Sequence, residues 1–167
     1  MAYFACWDGR SEISLVGPPL IAAREFEPKR YAETKNPAFE LAYWHWALRT
    51  ACQWRQRLGL EPAAMWERIA ANLALLPIRD GVYVEQEYPP VADGGHPCML
   101  GAWGLWPKSQ MVEEAVMTRT VEQVLRHWDW RDTWGWDYPM IAMTAARVGK
   151  PEWAIEALLL EVQKNRY

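Results

Sequence analysis

Residues 36–62, NPAFELAYWHWALRTACQWRQRLGLEP, hold the pattern that decides the fold. Asn36 is a good helix N-cap and Pro37 a good first helical residue, because the N–H that Pro lacks would be unbonded there anyway. Leu41, Trp44, Leu48, Ala51 and Leu58 then recur at helical spacing, while Phe39, Ala42 and Trp46 fall on another face. A helix that is apolar on more than one side is expected to be buried. Gly59 supplies a stop and Pro62 a new first turn, so a second helix follows with Met65, Ile69, Leu73 and Leu76 on one stripe until Pro77 ends it. The stretch predicts a tight αα-hairpin over residues 37–76.

The unit recurs twice without a convincing sequence repeat. Pro97 starts a short helix that Pro107 stops, and Met117, Val121, Val124, Leu125 and Trp128 mark a longer amphipathic one, giving a hairpin over 97–128. A third pair, 138–163, turns at Gly149-Lys150-Pro151 and continues with Ile155, Leu158, Leu159 and Val162. The expectation is an all-α single domain of three αα-hairpins with an irregular lead-in over 1–36. Val82 to Val84 is the one short β segment expected. Connections inside the hairpins are short, whereas the segments entering them, 9–36, 77–96 and 129–138, are long. In side-by-side antiparallel pairs all long connections share one rim, and long loops in a compact domain are usually functional.

Length and composition narrow the function. A chain of 167 residues buries roughly 70% of its unfolded surface and needs no disulfide or metal staple. The net charge of −3, with Arg55, Arg57 and Arg68 interleaved with Glu61 and Glu67, offers no basic stripe for nucleic acid. Cys6, Cys52 and Cys98 lack paired or CxxC spacing and read as small buried hydrophobes of a reduced chain. MAYFACWDGR has no basic start followed by an apolar run, and no apolar stretch approaches the roughly 18 residues of a membrane span. The chain as given is expected to be soluble and unexported, with export of a longer parent left open. No GxGxxG, GxxxxGK[ST] or GxSxG is present, and His45, His96 and His127 lack ligand spacing, so no cofactor and no metal is expected.

What the rim does contain is carboxylates among tryptophans. Twelve of the 22 aromatic residues are Trp. The long segments hold Glu25, Glu85 and the run Trp128-Asp-Trp-Arg-Asp-Thr-Trp-Gly-Trp-Asp137, and Trp44 and Trp46 are expected nearby. Sugars present flat C–H faces and hydroxyl edges, so their sites combine Trp platforms with acids. Cleavage adds a proton donor of raised pKa and a second carboxylate that activates water. Glu25, beyond the Gly17-Pro18-Pro19 turn, and Asp137, between Trp136 and Tyr138, fit those two roles by position. Taken alone, either carboxylate reads first as a helix cap or an ion-pair partner. Glu40 and His45 are equally satisfied core polar groups, and Trp54, Trp66 and Trp153 read as helix packing.

Five segments, GPPLIAARE, KNPAFELAYWHWAL, LPIRDGVYVEQEY, HPCMLGAWGLWP and TWGWDYPMIAMTAARVGKPEWAIEALL, follow one another as in six-hairpin, (α/α)6-toroid glycoside hydrolases. The chain resembles most the bacterial relatives of the α-L-fucosidase and disaccharide-phosphorylase catalytic domains, from about residue 13 onward. The resemblance implies that Glu25 protonates the leaving oxygen and that Asn36, Glu40, Trp134, Trp136 and Asp137 line the sugar subsite. Trp44 and Glu85 complete the expected substrate-binding set. Three hairpins are half of such a toroid, so the resemblance also implies a C-terminal portion of a catalytic domain, exposed apolar flanks, and self-association or a covering remainder.

Two further readings explain the hairpins: a non-catalytic carbohydrate-binding module, and a helical scaffold for protein partners. The scaffold leaves the rim acids and tryptophans unexplained.

Overall fold

The computed structural model describes residues 5–9, 12–23 and 31–166. The first hairpin consists of α1 (Ala38–Arg57) and α2 (Ala64–Ala71). Where the second hairpin is expected over 97–128, a 3-10 turn at Cys98–Leu100 runs into the four-residue α3 (Gly101–Gly104) and a loop leads on to α4 (Glu114–His127), but α3 is too short to pair along α4 and the two do not pack substantially on each other. The third is α5 (Asp137–Arg147) and α6 (Pro151–Leu158). α1 packs on α2 and α3, α3 on α5, and α5 on α4 and α6. The fold is mostly helical, as the hydrophobic periodicity predicts. No described helix is long and apolar enough to cross a membrane.

The core lies where these helices meet. Met117, Val121 and Val124 on α4, Leu41 on α1, Leu100 before α3 and Ile141 on α5 are fully buried. α3 approaches its neighbours closely because it presents glycine. A Cβ on Gly104 would lie 2.3 Å from Thr144 Oγ1 and 3.2 Å from the Met140 carbonyl oxygen, and one on Gly101 would lie 3.0 Å from the Phe39 ring. Thr144 donates its hydroxyl toward the Leu100 and Met140 carbonyls, and Arg147 donates to the carbonyls of Trp103 and Trp106. α5 thereby satisfies acceptors at the end of α3 that the short helix leaves open.

Several boundaries differ from the sequence reading, each for a local reason. Pro37, not Asn36, occupies the N-cap of α1, and Asn36 sits outside it at φ +48°. α1 is half-buried rather than enclosed, since Phe39, Tyr43, Trp44 and Trp46 keep part of their surface exposed. α2 stops at Ala71, well short of Pro77. Asn72 Nδ2 donates back to the Arg68 carbonyl, and residues 72 and 74 exchange backbone bonds with Ser14. α6 stops at Leu158 because Asn165 donates to the Leu158 and Leu160 carbonyls.

The lead-in is not irregular where it is described. β1 (Ala5–Asp8) pairs antiparallel with β2 (Ile13–Val16), and β3 (Lys35–Pro37) pairs with a later strand. That partner belongs to a run in which β4 (Ile78–Arg79) and β5 (Val82–Tyr83) form a hairpin and β6 (Gln86–Tyr88) follows. The hairpin turns at Asp80-Gly81, both at positive φ, the backbone that a two-residue Asp-Gly hairpin loop uses. Trp54 is corrected too: it is 55% exposed with the Arg57 guanidinium over its ring, whereas Trp66 and Trp153 are partly buried against the core.

Candidate functional site

The run 128–138 is folded by its own side chains. Trp128 is buried and its indole N–H donates to the Gly95 carbonyl, which pins the loop before His96. It is therefore a core residue and not part of a surface platform. Thr133 donates to the Trp130 carbonyl, which leaves its oxygen to accept from the Tyr138 hydroxyl. Asp137 opens α5 and bonds Trp134 reciprocally: its Oδ2 accepts the Trp134 N–H at 2.7 Å while its own N–H donates to the Trp134 carbonyl at 3.0 Å. That pair closes a turn at the entry to α5, with the carboxylate capping the Trp134 N–H and Trp136 standing at the helix N-cap.

A cap alone does not account for Asp137. Oδ2 also lies 2.8 Å from Nδ1 of His96, and both side chains are buried. Oδ1 is buried with no hydrogen-bond partner among the described residues. Burial pushes the Asp137 pKa above the ordinary carboxylate value, against the opposing pull of the Trp134 N–H and of His96. The imidazole packs against Trp136 at 4.5 Å between ring centroids and edge-on to Trp134 at 5.8 Å. Both indoles remain open to solvent, Trp134 at 58% and Trp136 at 43%. The result is a buried acid–imidazole pair behind two exposed aromatic faces. Because Asp137 has no exposed surface, it positions His96 and the Trp134 loop and does not itself reach the solvent.

The other expected site residues gather around the start of α1. Asn36 is buried; its Oδ1 accepts the Val16 N–H at 2.8 Å and its Nδ2 donates to Glu87 at 2.6 Å, so it joins β2 to β6. Glu40 takes the Ala23 N–H on Oε1, and its Oε2 is buried without a partner among the described residues. Burial lifts its pKa to about 6 despite that hydrogen bond. Glu85 is buried, accepts the Met99 N–H on its carboxylate at 3.5 Å and gives its carbonyl to the Ala38 N–H. It lines a small cavity of about 140 Å³ together with Tyr83, Met99 and Trp128. Trp44, partly buried against the core, packs edge-on to Tyr43. Glu25 lies outside the described residues.

Trp134, Trp136 and Asp137 therefore come together, whereas Asn36, Glu40 and Glu85 form a second group. Residues 96–99 link the two, since Cys98 N–H bonds the His96 carbonyl and Met99 N–H bonds Glu85. His96 is the member that sequence reasoning missed. It lies 41 residues from Asp137 with no motif between them, and among the described residues no group of three or more His, Cys, Asp and Glu side chains could hold a metal ion. A larger groove of about 640 Å³ lies elsewhere, between α1 and α2, beside Cys52 and Glu67. No protein-family model matches the chain, and no curated protein or solved structure matches it at a significant level.

Proposed function

We propose that the chain forms part of a carbohydrate-active catalytic domain of the six-hairpin toroid type, which cleaves a glycosidic bond by general acid/base chemistry with inversion. The observation that supports this best is the pair of exposed indoles, Trp134 and Trp136, set over the buried His96–Asp137 pair. Such flat faces suit the C–H surface of a sugar ring, and the buried pair behind them holds the Trp134–Trp136 turn in place. Glu25 is the proton donor in this reading. Asp137 is moved from catalytic base to positioning residue, because a base must come within hydrogen-bond reach of the attacking water. Three hairpins are half of a toroid. Exposed Met65 on α2 and Ile155 and Leu159 at α6 then mark the flanks against which further hairpins, or a second copy, pack.

The burial of Asp137 also favours a second reading, a sugar-binding module without turnover, because it withdraws the expected partner of Glu25 from the surface. Hydrolysis of a panel of aryl glycosides and oligosaccharides separates the two. The enzyme reading expects sugar release by the wild type and its loss in Glu25→Gln with unchanged circular dichroism. Binding without release selects the second reading, and release that survives Glu25→Gln removes Glu25 from the mechanism.

A further inference from the structure

A separate cavity of about 370 Å³ lies between the middle of α1 and residues 107–110, in the connection leading from α3 to α4. His45, Trp46 and Arg49 form its α1 wall, and Lys108 and Ser109 face them. No carboxylate is among its lining residues. Arg49 is exposed and makes no salt bridge among the described residues, and Lys108 pairs with Glu114 of α4 while lying over the Trp103 ring.

Hydrogen bonding ties Nδ1 of His45 to the cavity wall. Ser109 Oγ accepts the Met111 N–H at 3.2 Å and lies 3.1 Å from Nδ1 of His45. A neutral His45 that accepts at Nδ1 carries its proton on Nε2, and a protonated His45 donates from Nε2 whichever way Ser109 is oriented. Burial first, and the Arg49 charge second, hold the His45 pKa below the ordinary value. The cavity thus combines an N–H donor with two cationic side chains, Arg49 unpaired among the described residues and Lys108 shared with Glu114 behind the wall.

We propose that this cavity binds a small molecule bearing an oxyanion, a phosphate or a carboxylate. Arg49 and Lys108 supply the charge and His45 Nε2 a directed hydrogen bond. The volume exceeds a bare phosphate, which leaves room for an organic portion beside Trp46. The site does not depend on the sugar-cleaving reading, since none of its residues belongs to the His96–Trp136 rim.

The test is an NMR titration of the full chain, following the His45 ring signals assigned by their loss in His45→Gln. The probes are sodium phosphate, glucose 6-phosphate and glucuronate, at constant ionic strength held by chloride. The groups that face His45 are Arg49 on α1 and Lys108 on the connection, with Glu114 of α4 paired behind the latter. Saturable shifts and an upward move of the His45 titration midpoint are expected, with the stronger of the phosphate and carboxylate probes naming the ligand class. The exposed double variant Arg49→Ala/Lys108→Ala is expected to weaken binding at least tenfold and leave the His127 signals unchanged. Shifts that stay linear in concentration, that chloride reproduces, or that persist in the double variant overturn the proposal.

Discussion

Glu40 joins site chemistry to stability at a single residue. Its folded pKa of about 6 lies above the unfolded value of 4.5, so the folded state holds the extra proton between those pH values. Stability is therefore lost as pH rises from about 4.5 to about 6, by about 2 kcal/mol for a shift of this size. Glu40→Gln cannot ionise and escapes that loss. Urea unfolding of both proteins at pH 4 and pH 7 is expected to show the variant gaining about 2 kcal/mol relative to wild type between the two conditions. Parallel pH profiles would mean that Glu40 ionises freely and is hydrated. Asn36 shows a different use of a polar side chain: with Val16 and Glu87 occupying both ends of its amide, it holds two strands together. A substitution there acts first on the fold.

Between elements, the tightest constraint is the crossing of α3 and α5 at Gly104. Alanine is favoured over glycine by about 1 kcal/mol within a helix. Here that preference is outweighed, because the new Cβ falls inside the contact distance of Thr144 Oγ1 and meets the Met140 carbonyl, which cannot rotate away. Gly104→Ala is expected to destabilise by about 1–3 kcal/mol, as overpacked cores do. Adding Thr144→Ala should recover part of the loss, giving a double-mutant cycle that is less than additive. Additive losses would place the strain elsewhere.

Legibility divides at this level as well. The α4 stripe of Met117, Val121 and Val124 was readable because periodicity reports burial directly. The ends of α2 and α6 were not, because Asn72 and Asn165 stop them through side-chain bonds that leave no mark in an apolar pattern. β1 to β3 escaped notice because each is four residues or fewer and pairs with a segment of no matching signature. In the site, Trp134, Trp136 and Asp137 were legible as neighbours in sequence. His96 was not, because folding alone brings it to Asp137 across 41 residues.

For the whole molecule, apolar side chains stand open at both ends of the hairpin row: Leu58, Leu60 and Met65 around the first turn and α2, and Ile155, Leu158 and Leu159 at α6. Scattered exposed apolar residues are ordinary, and Ile21, Leu75 and Ile78 are others here; in the proposed toroid reading the two flank sets are the surfaces that bury against further hairpins or a second copy. Multi-angle light scattering is expected to give a mass well above the 19.4 kDa of one chain, falling toward it when Leu159 and Ile155 are changed to Lys. A strict monomer that gives no enhancement of an apolar-surface dye would mean that these flanks need no cover.

The central claim is that a sugar rests on the indoles above His96. Calorimetric titration of the chain with a panel of monosaccharides and oligosaccharides tests it most directly, comparing the wild type with Trp134→Ala, Trp136→Ala and the equally exposed control Trp54→Ala. At least one sugar is expected to bind, with affinity falling about tenfold or more, roughly 1.4 kcal/mol, in each rim variant and unchanged in the control. No binding by the wild type, or binding that both rim variants retain in full, would contradict the account.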